Sequence, residues 1–462
     1  MKFINRKAEL EFLQRRLDSS DAEMIILYGR RRIGKTELVI HFAKDKQSLY
    51  FLGRLESRED TIKRFNALLV ERFSDTTLLT HPLPNWDGLF DYLSIKADNK
   101  LLVVIDEFPF IVERFPEILS TLQDHWDRKL KDTQIKLILT GSSVSMMEKF
   151  TLDYQSPLYG RRTGQWKLDG MDMSSLHEFF PNYTLEERIL AYAVLDMIPG
   201  YLARFSPDQP LMGQIIDKML KKGGFFYDEV EFLLREELRD PANYMSILSA
   251  IAGGISTFSE IHQKTQLDKS LLSKYLHVLE QLGMVEKKIP VTQTLKSKLK
   301  AKGALYCLKD NFFDFWFQFI YLNKQTLESG NAHHVVENLD RRLNPYLSFK
   351  FEKFTASALP HLDIAPWTHI GKWWNKQEEI DVVALDENKN KILFAECKWQ
   401  QNVDAPAILA QLKEKARLVD WKNDQREEHY AVFAKSFKRK TNAAHTHCFD
   451  LEDLEKALQK AK

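Results

Sequence analysis

Three short apolar runs stand out in the first third of the chain: EMIILY (Glu23–Tyr28), LLVVIDE (Leu101–Glu107) and IKLILTGSS (Ile135–Ser143). None alternates apolar with polar positions, so each predicts a strand buried on both faces, as in a parallel sheet. Directly after the first run, KTELVIHFAKD takes on helical spacing. From Asn243 the pattern predicts three helices: one ending at Gly253-Gly254, one capped at Thr257 or Ser259, and one from about Asp268 to Leu282. Gly283 stops the third, and a strand follows. That is the element order of a winged helix-turn-helix. Farther on, NFFDFWFQFIYL (Asn311–Leu322) predicts a buried connecting helix, being too short to span a bilayer and interrupted by Asp314. LSFKFEKFTASAL predicts an amphipathic helix, and EEIDVVALDENKNKILFAECKWQ predicts strand, turn, strand.

Composition narrows this picture. A chain of 462 residues suggests roughly three domains at about 150 residues each. Lys+Arg 66 against Asp+Glu 65 leaves +1, so no global field draws the protein to nucleic acid or membrane. Any such affinity must come from local patches. Cys307, Cys397 and Cys448 lie far apart, without metal or redox spacing, which points to a reducing compartment. The N-terminus, MKFINRKAELEFLQRRL, has no signal-peptide core. A cytoplasmic protein with no membrane partner is expected.

The junction between the first strand and its helix reads GRRRIGKTEL. Gly29, Gly34, Lys35 and Thr36 satisfy G-x-x-x-x-G-K-[ST] in the strand, loop, helix context that this phosphate loop requires. Its glycines let backbone N–H groups and the helix N-terminus face phosphates. Lys35 would neutralise β- and γ-phosphates, and Thr36 would place its hydroxyl on Mg²⁺. Arg30, Arg31, Arg32 and Ile33 fill the variable positions, and Glu37 follows. The arginines could form a positive collar that attracts a triphosphate or grips acidic neighbours; simple solvation is the other reading. The second strand ends in two carboxylates. Asp106 suits the outer shell of Mg²⁺, and Glu107 is placed to polarise an attacking water. The third strand ends in small polar residues, of which Thr140 or Ser142 could sense the γ-phosphate. A plain strand exit through Gly141 stands beside that reading.

Beyond the loop, FINRKAELEFL, YGRRRIGKTEL, VVIDEFPFI, LILTGSSVSMME and SPLYGRR resemble the archaeal-type ATPase family, AAA+-like and STAND-related P-loop proteins. The resemblance covers about the first half of the chain. It implies ATP and ADP as ligands, with Arg6 and Glu9 beginning a helix that flanks the adenine. It also implies Arg161 and Arg162 as trigger arginines, acting in cis or from a neighbouring protomer of a homo-oligomer. Pro199, in MIPGYL, resembles the lid proline that packs on the base.

Within the three-helix segment, Lys269, Ser270, Ser273, Lys274 and His277 fall between the apolar positions of the third helix, as a groove-facing side would. Lys296, Lys298, Lys300 and Lys302 are spaced two apart in the expected wing, either contacting phosphates or guarding an edge strand. DNA binding and internal docking on the nucleotide domain both remain open.

In the last segment, strand periodicity puts Glu396 and Lys398 on one face and Cys397 on the other, across from Asp381. Asp381 and Glu396 would ligate Mg²⁺ through oxygen. Lys398 would stabilise the attacking hydroxide or the phosphorane charge, and Glu352 would orient a metal-bound water. The apolar VVAL and ILFA around them indicate buried strands, where charge is costly. GKWWNKQEEIDVVAL…ILFAECKW resembles the restriction-endonuclease-like PD-(D/E)xK domain, which implies Gln411 as an accessory glutamine. A scaffold keeping that fold without activity is the alternative.

The expected architecture is α/β. A P-loop NTPase domain with a helical lid spans 1–240, and a winged helix 241–310. A helical connector spans 311–344, and a nuclease-like domain 345–462. The expected function is an ATP-hydrolysing switch controlling DNA binding or metal-dependent cleavage. A nucleotide-gated regulator or scaffold that cuts nothing, and an ATP binder without turnover, are the other readings.

Overall fold

The computed structural model describes residues 3–97, 100–238, 240–293, 303–441 and 443–460. Lys296, Lys298, Lys300 and Lys302 lie outside the described residues. Among the described residues no helix is long and apolar enough to cross a membrane. The chain divides into two compact units, residues 1–171 with 198–200, and residues 172–197 with 201–462.

In the first unit five parallel strands are ordered β2-β3-β4-β1-β5. These are β1 (Glu23–Tyr28), β2 (Ser48–Leu52), β3 (Leu102–Asp106), β4 (Lys136–Gly141) and β5 (Gly164–Lys167). The three apolar runs form the sheet centre and are buried throughout. β2 and β5 are its edges and are partly exposed. A half-buried edge needs no continuous apolar run, so neither strand stands out from its neighbours in the sequence. β3 ends at Asp106 because Glu107 turns into the left-handed region (φ 52) and starts the helix Phe108–Arg114. Phe65, Leu69, Leu89 and Ile111, from flanking helices, are fully buried in the core they share with the sheet.

The helices from Asp172 to Glu237 belong to the second unit, apart from Ile198–Gly200, so the compact division falls at Met171 rather than near residue 240. Aromatic packing explains this. Tyr201 lies 4.4 Å from Phe312, Tyr192 lies 5.7 Å from Phe354, and all four rings are buried. Phe312 comes from the aromatic run, whose helix starts at Asn311 and widens to a π-turn over Trp316–Ile320. Phe354 comes from one long helix, Ala332–Ala358, that runs through Pro345 and across the boundary expected at residue 344.

The same unit contains the helices Pro241–Ala252, Phe258–Thr265 and Lys269–Gln281, then an antiparallel pair, β6 (Val285–Lys288) and β7 (Leu305–Leu308). Thr257 caps the second helix in a capping box with Glu260, a feature worth about 1 kcal/mol. Gly283, at φ 69, makes the turn into β6. Its last sheet is ordered β14-β12-β10-β9-β8. These strands are β8 (His369–Trp374), β9 (Glu379–Asp386), β10 (Lys391–Lys398), β12 (Glu427–Ala434) and β14 (Thr446–Phe449). β11 (Val403–Asp404) and β13 (Phe437–Arg439) pair separately. β9 is antiparallel to β8 and β10, whereas β10, β12 and β14 are parallel.

Candidate functional site

The phosphate loop leaves β1 at Gly29 and enters the helix Lys35–Ala43. A Cβ on Gly29 would stand 2.6 Å from the Leu168 carbonyl, so only glycine fits there. Gly34 sits at φ 90, which also favours glycine. Arg32 takes φ 64, and Arg30, Arg31 and Arg32 are half-buried rather than splayed into solvent. Ile33 points into the core, while Thr36 and Glu37 lie exposed on the first turn. Lys35 Nζ donates to the carbonyls of Gly29 (2.8 Å) and Arg30 (3.0 Å), holding the loop closed around its ammonium.

Arg6 is buried at the start of the helix Lys7–Asp18. Its guanidinium donates to the Ile33 carbonyl at 2.8 Å, to the Asp169 carbonyl at 2.9 Å, and to Glu9 at 2.7 Å. It braces the loop from behind. Pro199 reaches the loop from the Ile198–Gly200 segment, with its Cγ 3.5 Å from where a Gly34 Cβ would sit. The Gly200 amide donates to the Arg32 carbonyl at 2.9 Å.

At the strand ends Asp106 is fully buried and accepts four hydrogen bonds. Thr36 Oγ1 (2.8 Å) and Tyr50 Oη (2.7 Å) donate to Oδ2, while Thr140 Oγ1 (3.1 Å) and the Glu107 amide (3.0 Å) donate to Oδ1. Burial, then the bond to Asp106, raises the Tyr50 pKa, so this phenol stays a donor. Glu107 is held by the amide and hydroxyl of Ser142, the amide at 3.1 Å. Thr140 therefore meets Asp106 and Ser142 meets Glu107, a division of labour that sequence left undecided. Tyr50 was not anticipated, since nothing near it in the sequence marks a polar role.

Arg161 forms a bidentate pair with Asp127, at 2.9 and 2.6 Å, and its Nη1 donates to the Pro157 carbonyl. This bond holds the Asp127 carboxyl below its ordinary range. Arg162 instead lies over the Tyr159 ring.

In the second unit β9 and β10 bring Asp381, Glu396 and Lys398 to one face of the sheet. Asp381 Oδ2 accepts from the Cys397 amide at 2.9 Å. Glu396, 5% exposed, is paired on both oxygens, with Lys398 and with Lys415, each at 2.8 Å. Burial alone would raise its pKa, but the two ammoniums outweigh it and hold Glu396 below the usual carboxylate range. Asp381 goes the other way, raised by burial and then by the Glu396 charge. Glu352, from the long helix, pairs with Lys372 at 3.2 Å. Burial, then the neighbouring Asp381, pushes Glu352 up to about 7. Lys372 also reaches Glu379 at 3.1 Å.

Gln411 is exposed on the helix Ala405–Ala416, and Lys415 of that helix is the residue that enters the cluster. Neither Lys415 nor Lys372 belongs to a local pattern that would flag it. Beside the cluster runs a groove of about 840 Å³, with Lys288, Arg342, Lys350, Lys353, Lys372 and Glu352 in its wall.

Residues 3–205 match a family described as an ATPase domain predominantly from Archaea. Residues 316–414 match one described as archaeal and bacterial proteins of unknown function. Protein MJECL04 of Methanocaldococcus jannaschii is 36% identical over 464 residues, covering 98% of this chain and 100% of that protein. The ATP-binding protein MJ0423 of the same organism is 56% identical over 45 residues, 10% of this chain and 76% of that protein. The Walker-type ATPase PABY2304 of Pyrococcus abyssi has a like fold, with a TM-score of 0.53 at 22% identity, covering 68% of this chain and 96% of that one.

Proposed function

The chain belongs to the archaeal ATPase family, and from that premise we propose that it is an ATP-hydrolysing switch that governs DNA binding or cleavage by its second unit. The observation that carries the ATPase reading is the pair of carboxylates at the end of β3, each held in a different way. Asp106 is fixed by Thr36 and Tyr50, where an Mg²⁺ and its waters would sit, and the hard oxygens of Thr36 and Asp106 fit that ion. Mg²⁺, when bound, neutralises charge on the β- and γ-phosphates. Lys35 would exchange its two loop carbonyls for phosphate oxygens. Glu107, oriented by Ser142, would hold the attacking water.

The DNA reading rests on two features. Three helices followed by an antiparallel strand pair have the order of a winged helix, and Lys269, Ser270, Ser273, Lys274 and His277 are all exposed on its third helix. The second feature is the cluster of Asp381, Glu396 and Lys398 with Glu352 nearby, which supports a reading as a PD-(D/E)xK-like site. Asp381, whose proton affinity is raised by burial and then by the Glu396 charge, would be relieved by a divalent cation, and the oxygens of both carboxylates suit Mg²⁺. Lys398 would then stabilise charge on the scissile phosphate.

One observation favours the reading without cleavage. Both Glu396 oxygens are already engaged by lysines, so a cation must displace one of them. Assays of nicking on several DNA forms with Mg²⁺ or Mn²⁺, with and without ATP, decide between the two. Cleavage lost in Glu396→Ala and Lys398→Ala with ATPase activity intact supports the nuclease. No cleavage of any form leaves a nucleotide-gated regulator or scaffold.

A further inference from the structure

The opposite end of the second unit's last sheet carries a cluster that neither site above uses. Glu427 opens β12, His429 follows on the same face, and His445 immediately precedes β14. β12 and β14 pair in parallel, with Tyr430 opposite Thr446 and Ala431 opposite His447. His445 therefore stands level with His429, and His447 comes next along the same face.

Glu427 Oε1 lies 2.8 Å from His429 Nε2 and 3.4 Å from His445 Nδ1. One donor atom from each of the three residues falls within 4.8 Å of the others. The two histidine rings are 4.7 Å apart at 82°, so they approach the carboxylate from different directions. His429 is only 5% exposed, yet its Nδ1 has no hydrogen-bond partner among the described residues. Nε2 of His447, stacked 6.0 Å from His429, is buried and lacks one as well. Three imidazoles and a carboxylate thus gather at one sheet edge, and the atoms that converge are Glu427 Oε1, His429 Nε2 and His445 Nδ1, the unpaired nitrogens lying outside that set.

We propose that Glu427, His429 and His445 form a binding site for a divalent transition metal of the zinc class. Imidazole nitrogens with one carboxylate suit zinc and its neighbours, whereas Mg²⁺ prefers oxygen ligands throughout. Three protein ligands leave a fourth position for water, and His445 is exposed, so solvent reaches the site. Lys391 Nζ, 2.9 Å from Glu427 Oε1, now balances that carboxylate; the metal takes over its role. The site is separate from the acidic cluster. Glu396 is in register with Val432, five residues along β12 from Glu427, which is about 16 Å at ~3.3 Å per residue. Bound metal ties the start of β12 to the residue before the edge strand β14.

The test uses untagged full-length protein, stripped with chelator and titrated with Zn²⁺ by calorimetry in excess Mg²⁺, which fills oxygen-donor sites first. One Zn²⁺ per chain is expected. His445→Ala and Glu427→Gln should each weaken it by about tenfold or more, as losses at a metal site do, with ATP binding unchanged. His445 is exposed, so its variant should fold, which a melting curve checks; His429→Ala, at a buried position, is secondary. X-ray absorption of the Zn²⁺ complex should report two imidazoles in a nitrogen and oxygen shell. Absence of Zn²⁺ binding overturns the proposal, as does affinity that survives both His445→Ala and Glu427→Gln.

Discussion

Tyr50 donates its phenol proton to Asp106 Oδ2 at 2.7 Å, the same oxygen that accepts from Thr36. A tyrosine in the middle of β2 thus sets the orientation of a carboxylate at the end of β3. Tyr50→Phe keeps the packing and deletes one charged hydrogen bond, so the stability loss should be roughly 1–2 kcal/mol. With Asp106 less constrained, ATP turnover should need more Mg²⁺ while nucleotide affinity in its absence stays put. A Mg²⁺ titration of ATPase rate against the parent reads this, and an unchanged midpoint would remove Tyr50 from the site.

Lys35→Ala should abolish ATP binding, whereas Glu107→Gln should bind ATP and turn over about 100-fold slower or worse. Ser142→Ala should sit between parent and Glu107→Gln in rate, because it releases Glu107 without removing it. Equilibrium binding and steady-state hydrolysis measured on the same preparations separate the roles. Hydrolysis by Glu107→Gln at the parent rate would falsify the assignment of the water-polarising group.

Glu352 titrates near 7 instead of its usual 4.5 because burial and then Asp381 oppose its charge. The folded state therefore holds a proton that the unfolded state has lost, and this contribution is complete below pH 4.5 and disappears as pH rises through 7. Glu352→Gln cannot lose that proton. Relative to the variant, the parent should lose about 1–3 kcal/mol between pH 5 and 8. Urea melts across that range should diverge; parallel curves would contradict a buried, protonated Glu352.

Glu396 behaves oppositely, since Lys398 and Lys415 lower its pKa against the effect of burial. Its contribution is present at neutral pH and is lost as pH falls through the depressed value. Lys415→Met should cost about 1–3 kcal/mol at pH 7 by leaving a buried carboxylate half-paired, and the difference should shrink on acidification. Equal destabilisation at pH 7 and pH 3 would point to lost packing by the lysine stem instead.

Alanine at Lys269 and Lys274, or at Lys296, Lys298, Lys300 and Lys302, should weaken duplex binding about equally for all sequences and flatten its salt dependence. Fluorescence anisotropy at several salt concentrations measures the slope. A slope identical to the parent's returns these lysines to the role of solvated surface.

Local spacing by itself determined the phosphate loop. Gly29, Gly34, Lys35 and Thr36 lie within eight residues, and their chemistry depends on one turn of backbone between one strand and one helix. The three central strands were equally legible, because a strand buried on both faces must be apolar at every position. Glu396 and Lys398 could be placed on one face by strand periodicity alone, whereas Asp381 joins them through the pairing register of β9 and β10. Only the tertiary structure brought Tyr50 to Asp106, Lys415 to Glu396, Lys372 to Glu352, and His445 to Glu427. It also turned Arg6 into a brace for the loop and paired Arg161 with Asp127. In each case the partner comes from another strand or helix. A polar side chain carries no mark in sequence of the distant charge it will meet, because that meeting is decided by which apolar faces pack.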